Sequence, residues 1–159
     1  DLYLSFNGRA HTAGDVVIHC PQKNILATGD LVHGFFPYIG DGYPREWPGT
    51  VDTVARMEFT RILPGHGPVQ EGQGRMRDMR NYIEELTERV AEGKRTGRDL
   101  GELYETITTA SLKTLQANGY GDFLAGNIIK YRYHFGSDVN LQASLNTNIA
   151  QIYQNLDRR

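Results

Sequence analysis

At 159 residues the chain has the length of one domain, and 39% hydrophobic against 23% charged residues is the balance of a soluble globular protein. A formal net charge of −2 offers no basic footprint for a phosphate backbone, and no apolar run approaches membrane-spanning length, so neither nucleic acid nor membrane is an expected partner. The single cysteine, Cys20, rules out an internal disulfide and leaves the compartment undecided; no signal peptide is visible.

In chain order, Leu2, Leu4 and Phe6 alternate with Tyr3 and Ser5, the period of a strand with one face more buried than the other. Asn7-Gly8 turns the chain, and His11-Thr12-Ala13-Gly14-Asp15 forms a second turn. Val16, Val17 and Ile18 are continuous and β-branched, which predicts a strand from Asp15 to His19 covered on both faces. Pro21-Gln22-Lys23-Asn24 turns into a further strand, Ile25 to Thr28, closed by Thr28-Gly29-Asp30. Cys20 falls outside these motifs and reads as a small packing residue rather than a thiolate ligand.

Residues 31–48 hold Gly34, Pro37, Gly40, Gly42, Pro44 and Pro48 among five aromatics, too many breakers for a helix and too aromatic for a linker. Such a loop directly after a candidate ligand reads as a pocket wall, with His33 and Tyr38 as candidate substrate contacts and His33 also able to reach a metal. Val51, Val54 and Ala55 predict a helix over Thr50–Met57, and Arg61–Pro64 returns as a short strand before Pro64-Gly65-His66-Gly67-Pro68.

The second half reads as helical. Met76, Met79, Ile83, Leu86 and Val90 recur at three and four residues, predicting a helix from Arg75 to Glu92 that Gly93 ends. Asp99 with Glu102 is a capping pair opening a second helix up to about Ala117. Around Ile128–Phe135 strand and helix periods overlap, and helix is preferred. A last helix, capped by Ser137 or Asp138, presents Leu141, Leu145, Ile149, Ile152 and Leu156. The Gly93–Gly97 link is too short to separate domains, so residues 97–159 are expected to pack as a helical extension on the unit formed by 1–96.

The chemistry lies in the three turns. Each sets a metal-competent side chain beside glycine at the end of an apolar run, so His11, Asp30 and His66 can be aimed at one point by rigid strands. Imidazole, carboxylate and imidazole suit zinc, iron or manganese, and a carboxylate has two oxygens with which to bridge a pair of ions.

The order His-Thr-Ala-Gly-Asp, strand, Thr-Gly-Asp-Leu, helix, strand, Pro-Gly-His-Gly-Pro resembles the metallo-β-lactamase superfamily, over roughly Leu2 to Val90. It looks like the C-terminal half of that domain. The resemblance implies an α/β fold, half of an αββα sandwich followed by the helical extension. It also implies two divalent metal ions, most readily zinc, with His11 on the first, His66 on the second and Asp30 between. Thr12 and Asp15 would support the ligands from behind, and metal-bound water would attack a small-molecule ester, thioester, lactone or phosphoester, with no separate catalytic side chain. β-Lactamases of this fold usually place cysteine or serine where Asp30 stands, which ranks β-lactam hydrolysis low; diiron redox relatives also use aspartate there.

The family's upstream His-x-His-x-Asp-His run is absent, and His19, His33 and His134 are isolated. Half of a dinuclear site is therefore missing. The chain is expected to need a complementary N-terminal segment or a second chain to cover its open sheet edge, and to be inactive or nearly so alone. The alternative from another class is a non-catalytic half-domain acting as a complementation or interaction module.

Overall fold

A computed structural model of the chain describes residues 1–130 and 140–158. Five strands form one sheet in the order β1-β2-β3-β4-β5: β1 (Tyr3–Phe6), β2 (Val16–Cys20), β3 (Ile25–His33), β4 (Arg61–His66) and β5 (Gln70–Glu71). The β1–β2, β2–β3 and β4–β5 pairs are antiparallel, whereas β3 and β4 run parallel, joined across helix α1 (Trp47–Val54). This is an α/β fold, as the resemblance implies.

The two faces of the sheet differ sharply. Val17, Leu26 and Ile62 are fully buried on the face carrying the helices. On the other face the register Phe6↔Val16, Leu4↔Ile18, Ile18↔Ala27 and Ala27↔Leu63 aligns an apolar band across four strands. Its members remain open: Leu4 is 67% exposed, Phe6 57%, Val16 48%, Leu63 39% and Ile18 37%. The expectation that β2 is covered on both faces is therefore corrected. Its unbroken β-branched run suits burial on both sides, but within this chain only Val17 receives it.

Helix α2 (Gly74–Arg95) buries Met76, Met79, Tyr82, Ile83, Leu86 and Val90 completely, as its period requires. It runs through Gly93, contrary to the predicted stop. A Cβ there would collide with the Leu103 side chain, so Gly93 serves close packing of α3 (Leu100–Thr106), and the turn beyond α2 falls instead to Gly97 at φ +81°. The Asp99 capping box is present, with Glu102 N–H donating to Asp99 Oδ1 at 3.0 Å and Asp99 N–H to Glu102 Oε2 at 2.9 Å.

The single helix expected up to Ala117 is two: α3 ends at Thr106 and α4 spans Lys113–Gln116. Local polar groups break it. Ser111 Oγ accepts from Thr108 N–H at 2.9 Å, and the Glu85 carboxylate on α2 accepts from Lys113 N–H at 3.0 Å and Thr114 N–H at 2.9 Å. These bonds hold the turn and cap α4 from outside. Helix α5 (Tyr120–Lys130) begins earlier than the overlapping periods suggest, while Tyr131, Tyr133, His134, Phe135, Ser137 and Asp138 lie outside the described residues. The last helix, α6 (Leu141–Asn155), is capped by Asn140, whose Oδ1 accepts from Ala143 N–H at 2.9 Å. Leu145, Ile149 and Ile152 on its inner face join Tyr82, Ile83 and Leu86 in one hydrophobic cluster with the strands. Among the described residues, no helix is long and apolar enough to cross a membrane.

Candidate metal centre

The carboxyl ends of the parallel pair β3 and β4 carry the polar cluster. Both strands run further than their apolar content indicates: β3 continues through Asp30 to His33, and β4 through Pro64-Gly65 to His66. The register pairs Gly29 with Pro64 and His33 with His66, with irregularities between Ala27 and Gly29 and between Gly29 and His33. Gly29, at φ +53°, sits where the regular ladder breaks just before Asp30. Gly65 is required for a different reason. A Cβ on it would overlap Asp30 Oδ1, so the carboxylate occupies space that only glycine leaves free.

His11 arrives from the turn between β1 and β2. Asp15 braces that turn, accepting from Thr12 N–H and Thr12 Oγ1–H, each at 2.9 Å, and Tyr43 N–H donates to Ala10 O at 2.8 Å to tie it to the aromatic loop. Thr12 and Asp15 thus fix the backbone that presents His11. The indole of Trp47, fully buried, meets the His11 ring edge-on with centroids 5.8 Å apart and anchors its own Nε1–H on Leu31 O at 3.0 Å. Tyr38, half exposed, flanks His11 at 6.1 Å between centroids, on the rim of the cluster rather than in it.

Three imidazoles converge on the carboxylate of Asp30. His11 Nε2 lies 3.9 Å from Oδ2, His33 Nε2 3.8 Å from Oδ1, and His66 Nδ1 2.6 Å from Oδ1. The sequence-derived trio His11, Asp30 and His66 is brought to one place, and His33, read as a substrate contact, joins it. Ligand atoms of His11, Asp30 and His33 all fall within 4.8 Å of one another, close enough to hold one metal ion. His66 instead lies at hydrogen-bonding distance from Asp30 and is the most exposed of the four side chains.

His33 differs from the others in burial. It is 3% exposed, both of its ring nitrogens are buried without a hydrogen-bond partner, and its ring stacks on that of His66 at 5.7 Å and 10°. Its backbone is held, since His33 N–H donates to Met79 Sδ at 3.3 Å and Gln70 Nε2–H to His33 O at 3.3 Å. Burial drives its pKa from 6.5 down to about 4; the attraction of Asp30 opposes this, and the neighbouring His11 and His66 add to it. A neutral imidazole with bare nitrogens beside a carboxylate is the form in which histidine ligates. The donor set, the unpartnered buried imidazole and the cradle left by Gly65 together fit a divalent ion. Sequence reasoning singled out His33 by its spacing from Asp30 but had no signal for its burial, which comes from Phe35, Trp47 and Met79 packing around the strand end.

No family model matches the chain. Curated relatives do, among them a type 2 metallo-β-lactamase of Bacillus cereus, 31% identical over 70 residues, and the metallo-β-lactamase IND-1 of Chryseobacterium indologenes, 32% identical over 72 residues. These matches take in 40% and 42% of this chain but 27% and 30% of the relatives, so the chain spans under a third of the length of the curated relatives it matches. Among solved structures, TMB-1 superposes with a TM-score of 0.50 at 20% identity, over 54% of this chain and 42% of that one, a partial match in fold. Motif order and sequence identity agree with the partial match in fold: about half of the chain is homologous to the metallo-β-lactamase superfamily, over a fraction of those relatives' length.

Proposed function

We propose that this chain carries part of the metal site of a metal-dependent hydrolase, with His11, Asp30 and His66 as ligands in a centre that holds two divalent ions, most readily zinc, when complete. The observation that carries the reading is the convergence of His11, from the β1–β2 turn, and His66, from the end of β4, on the two oxygens of Asp30. A divalent ion bound there supplies Lewis acidity and lowers the pKa of water toward neutrality, chemistry suited to ester, thioester, lactone or phosphoester hydrolysis. The chain's own residues orient the site. Asp15 and Thr12 hold the His11 turn, Gly65 admits the Asp30 carboxylate, and Trp47 walls off one side from solvent. The half-exposed position of Tyr38 beside His11 supports reading it as a contact for a small-molecule substrate.

The bare apolar band on β1 to β4 supports a covering layer, supplied by a complementary N-terminal segment or a second chain. The β1 edge offers a strand that such a segment could extend. The same band favours a second reading, in which the chain is a non-catalytic module whose role is to pair with another polypeptide.

The two readings separate in one experiment. Metal content and turnover are measured on a panel of an ester, a thioester, a phosphodiester and a chromogenic cephalosporin, the last because the relatives are named as β-lactamases. The chain is assayed alone and with an upstream segment bearing the His-x-His-x-Asp-His run restored. The hydrolase reading expects turnover to rise by orders of magnitude on restoration, and more for the ester-class substrates than for the cephalosporin. Restoration that yields a folded, zinc-free and inactive assembly would leave the pairing module as the function.

A further inference from the structure

We infer that His33 is a metal ligand, and that His11, Asp30 and His33 form a mononuclear site contained within this chain. The inference rests on the reading of His11 and Asp30 as ligands and extends it, because it gives the chain a three-donor site that needs no other polypeptide.

The geometry points to this set rather than to His11, Asp30 and His66. Two ligands each about 2.0 to 2.2 Å from a zinc ion in a tetrahedron stand roughly 3.3 to 3.6 Å apart, and somewhat more as the angle opens. His11 Nε2 to Asp30 Oδ2 at 3.9 Å and His33 Nε2 to Asp30 Oδ1 at 3.8 Å lie slightly above that range, and one ligand atom from each of the three residues falls within 4.8 Å of the others, so a single ion can reach all three. His66 Nδ1, at 2.6 Å from Asp30 Oδ1, is too near that oxygen for both to take separate positions on one ion; it is spaced to share a proton instead.

The unsatisfied imidazole is the second, independent observation. A buried polar group without a partner is destabilising, and His33 buries two such nitrogens. Its backbone bonds to Met79 and Gln70 fix the main chain but leave the ring unanswered. A cation within reach of Nε2 answers it, and Asp30 supplies the negative charge that cation needs. In the chain alone, with no second ion for it to hold, His66, stacked flat on the His33 ring and bonded to Asp30, orients the carboxylate.

The test uses the purified 159-residue chain. Co²⁺ is titrated into the metal-free chain and into His11→Ala, His33→Ala and His66→Ala, with visible absorption reporting coordination and far-UV circular dichroism reporting fold. Long-range ¹H–¹⁵N spectra of the imidazoles are recorded on the unsubstituted chain with Zn²⁺, which removes any dependence on a variant that folds poorly. Expected are one Co²⁺ per chain, an affinity reduced at least tenfold in His11→Ala and His33→Ala but by less in His66→Ala, and a Zn²⁺-dependent shift of His33 Nε2. Binding lost in His11→Ala and His66→Ala but unchanged in His33→Ala, with the His33 nitrogens unmoved by Zn²⁺, would overturn the inference while leaving the proposed ligands standing. Absence of any metal binding to the chain alone would likewise overturn the inference, while a site completed by an upstream segment would be judged by the restoration experiment.

Discussion

His66 Nδ1 and Asp30 Oδ1 lie 2.6 Å apart, joining the ends of two parallel strands whose residues are 36 positions apart in sequence. The contact exists because Gly65 has no side chain, its Cβ position being filled by the Asp30 carboxylate oxygen. Gly65→Ala should therefore displace Asp30 and weaken Co²⁺ or Zn²⁺ binding at least about tenfold, since a carboxylate moved by about an ångström no longer faces both imidazoles. Calorimetric titration of the variant checks this. Unchanged affinity would show that Asp30 is not held by the close approach of the strands.

The core makes a separate demand. Ile83 and Leu86 are fully buried on α2, within the cluster that includes β-strand residues and α6, so Ile83→Ala and Leu86→Ala should each lower the unfolding free energy by about 2 to 5 kcal/mol. Urea denaturation reads the difference directly. A loss below about 0.5 kcal/mol would mean that the face is not packed as described.

The two sides of the sheet should respond oppositely to substitution. Leu4→Ser and Ile18→Thr, on the bare face, should change stability by no more than about 0.5 kcal/mol while reducing binding of a hydrophobic dye. Leu26→Ala, on the covered face, should cost about 2 kcal/mol or more. Equal costs on both faces would indicate that the bare band is already covered, for instance by a second copy of the chain, which light scattering would then detect.

His33 carries a pH signature in the metal-free protein. Its folded pKa of about 4 lies below the ordinary 6.5, so between those values the unfolded chain binds a proton that the folded chain does not. Stability from this group is present above about pH 6.5 and is lost as pH falls toward 4. The groups facing it are Asp30, His11 and His66. From pH 7 to 4.5 in chelator, the chain should lose roughly 2 to 3 kcal/mol more than His33→Gln does. Parallel pH profiles for the two proteins would contradict the buried neutral imidazole.

Much of this arrangement could be read from residues in order. Asp30 and His66 stand beside glycines at the ends of apolar runs, His11 stands in a turn that Thr12 and Asp15 close, and turn composition and strand periods are local properties that sequence displays. The α2 face was legible for the same reason, because its burial repeats at the helical period over about four turns, from Met76 to Val90. What escaped was decided at a distance. Gly93 looks like a helix stop until Leu103 is seen resting on it, and the break after Thr106 depends on Ser111 and on Glu85 reaching across from α2. The β-branched run of β2 carries the mark of a strand buried on both sides, although this chain buries only one. His33 is the sharpest case. Its spacing from Asp30 was visible, but a loop-like Leu-Val-His-Gly context gave no hint that the ring would end up buried and without a partner.

The most direct measurement is the zinc stoichiometry of the purified chain after dialysis against a weak chelator, determined by elemental analysis beside Asp30→Ala. Every ligand contact described here passes through the Asp30 carboxylate, so the expected result is one zinc per chain and near-complete loss in the folded variant. A chain that folds and retains no zinc, or zinc that persists unchanged in Asp30→Ala, would contradict a metal centre contained in this chain and built on this residue.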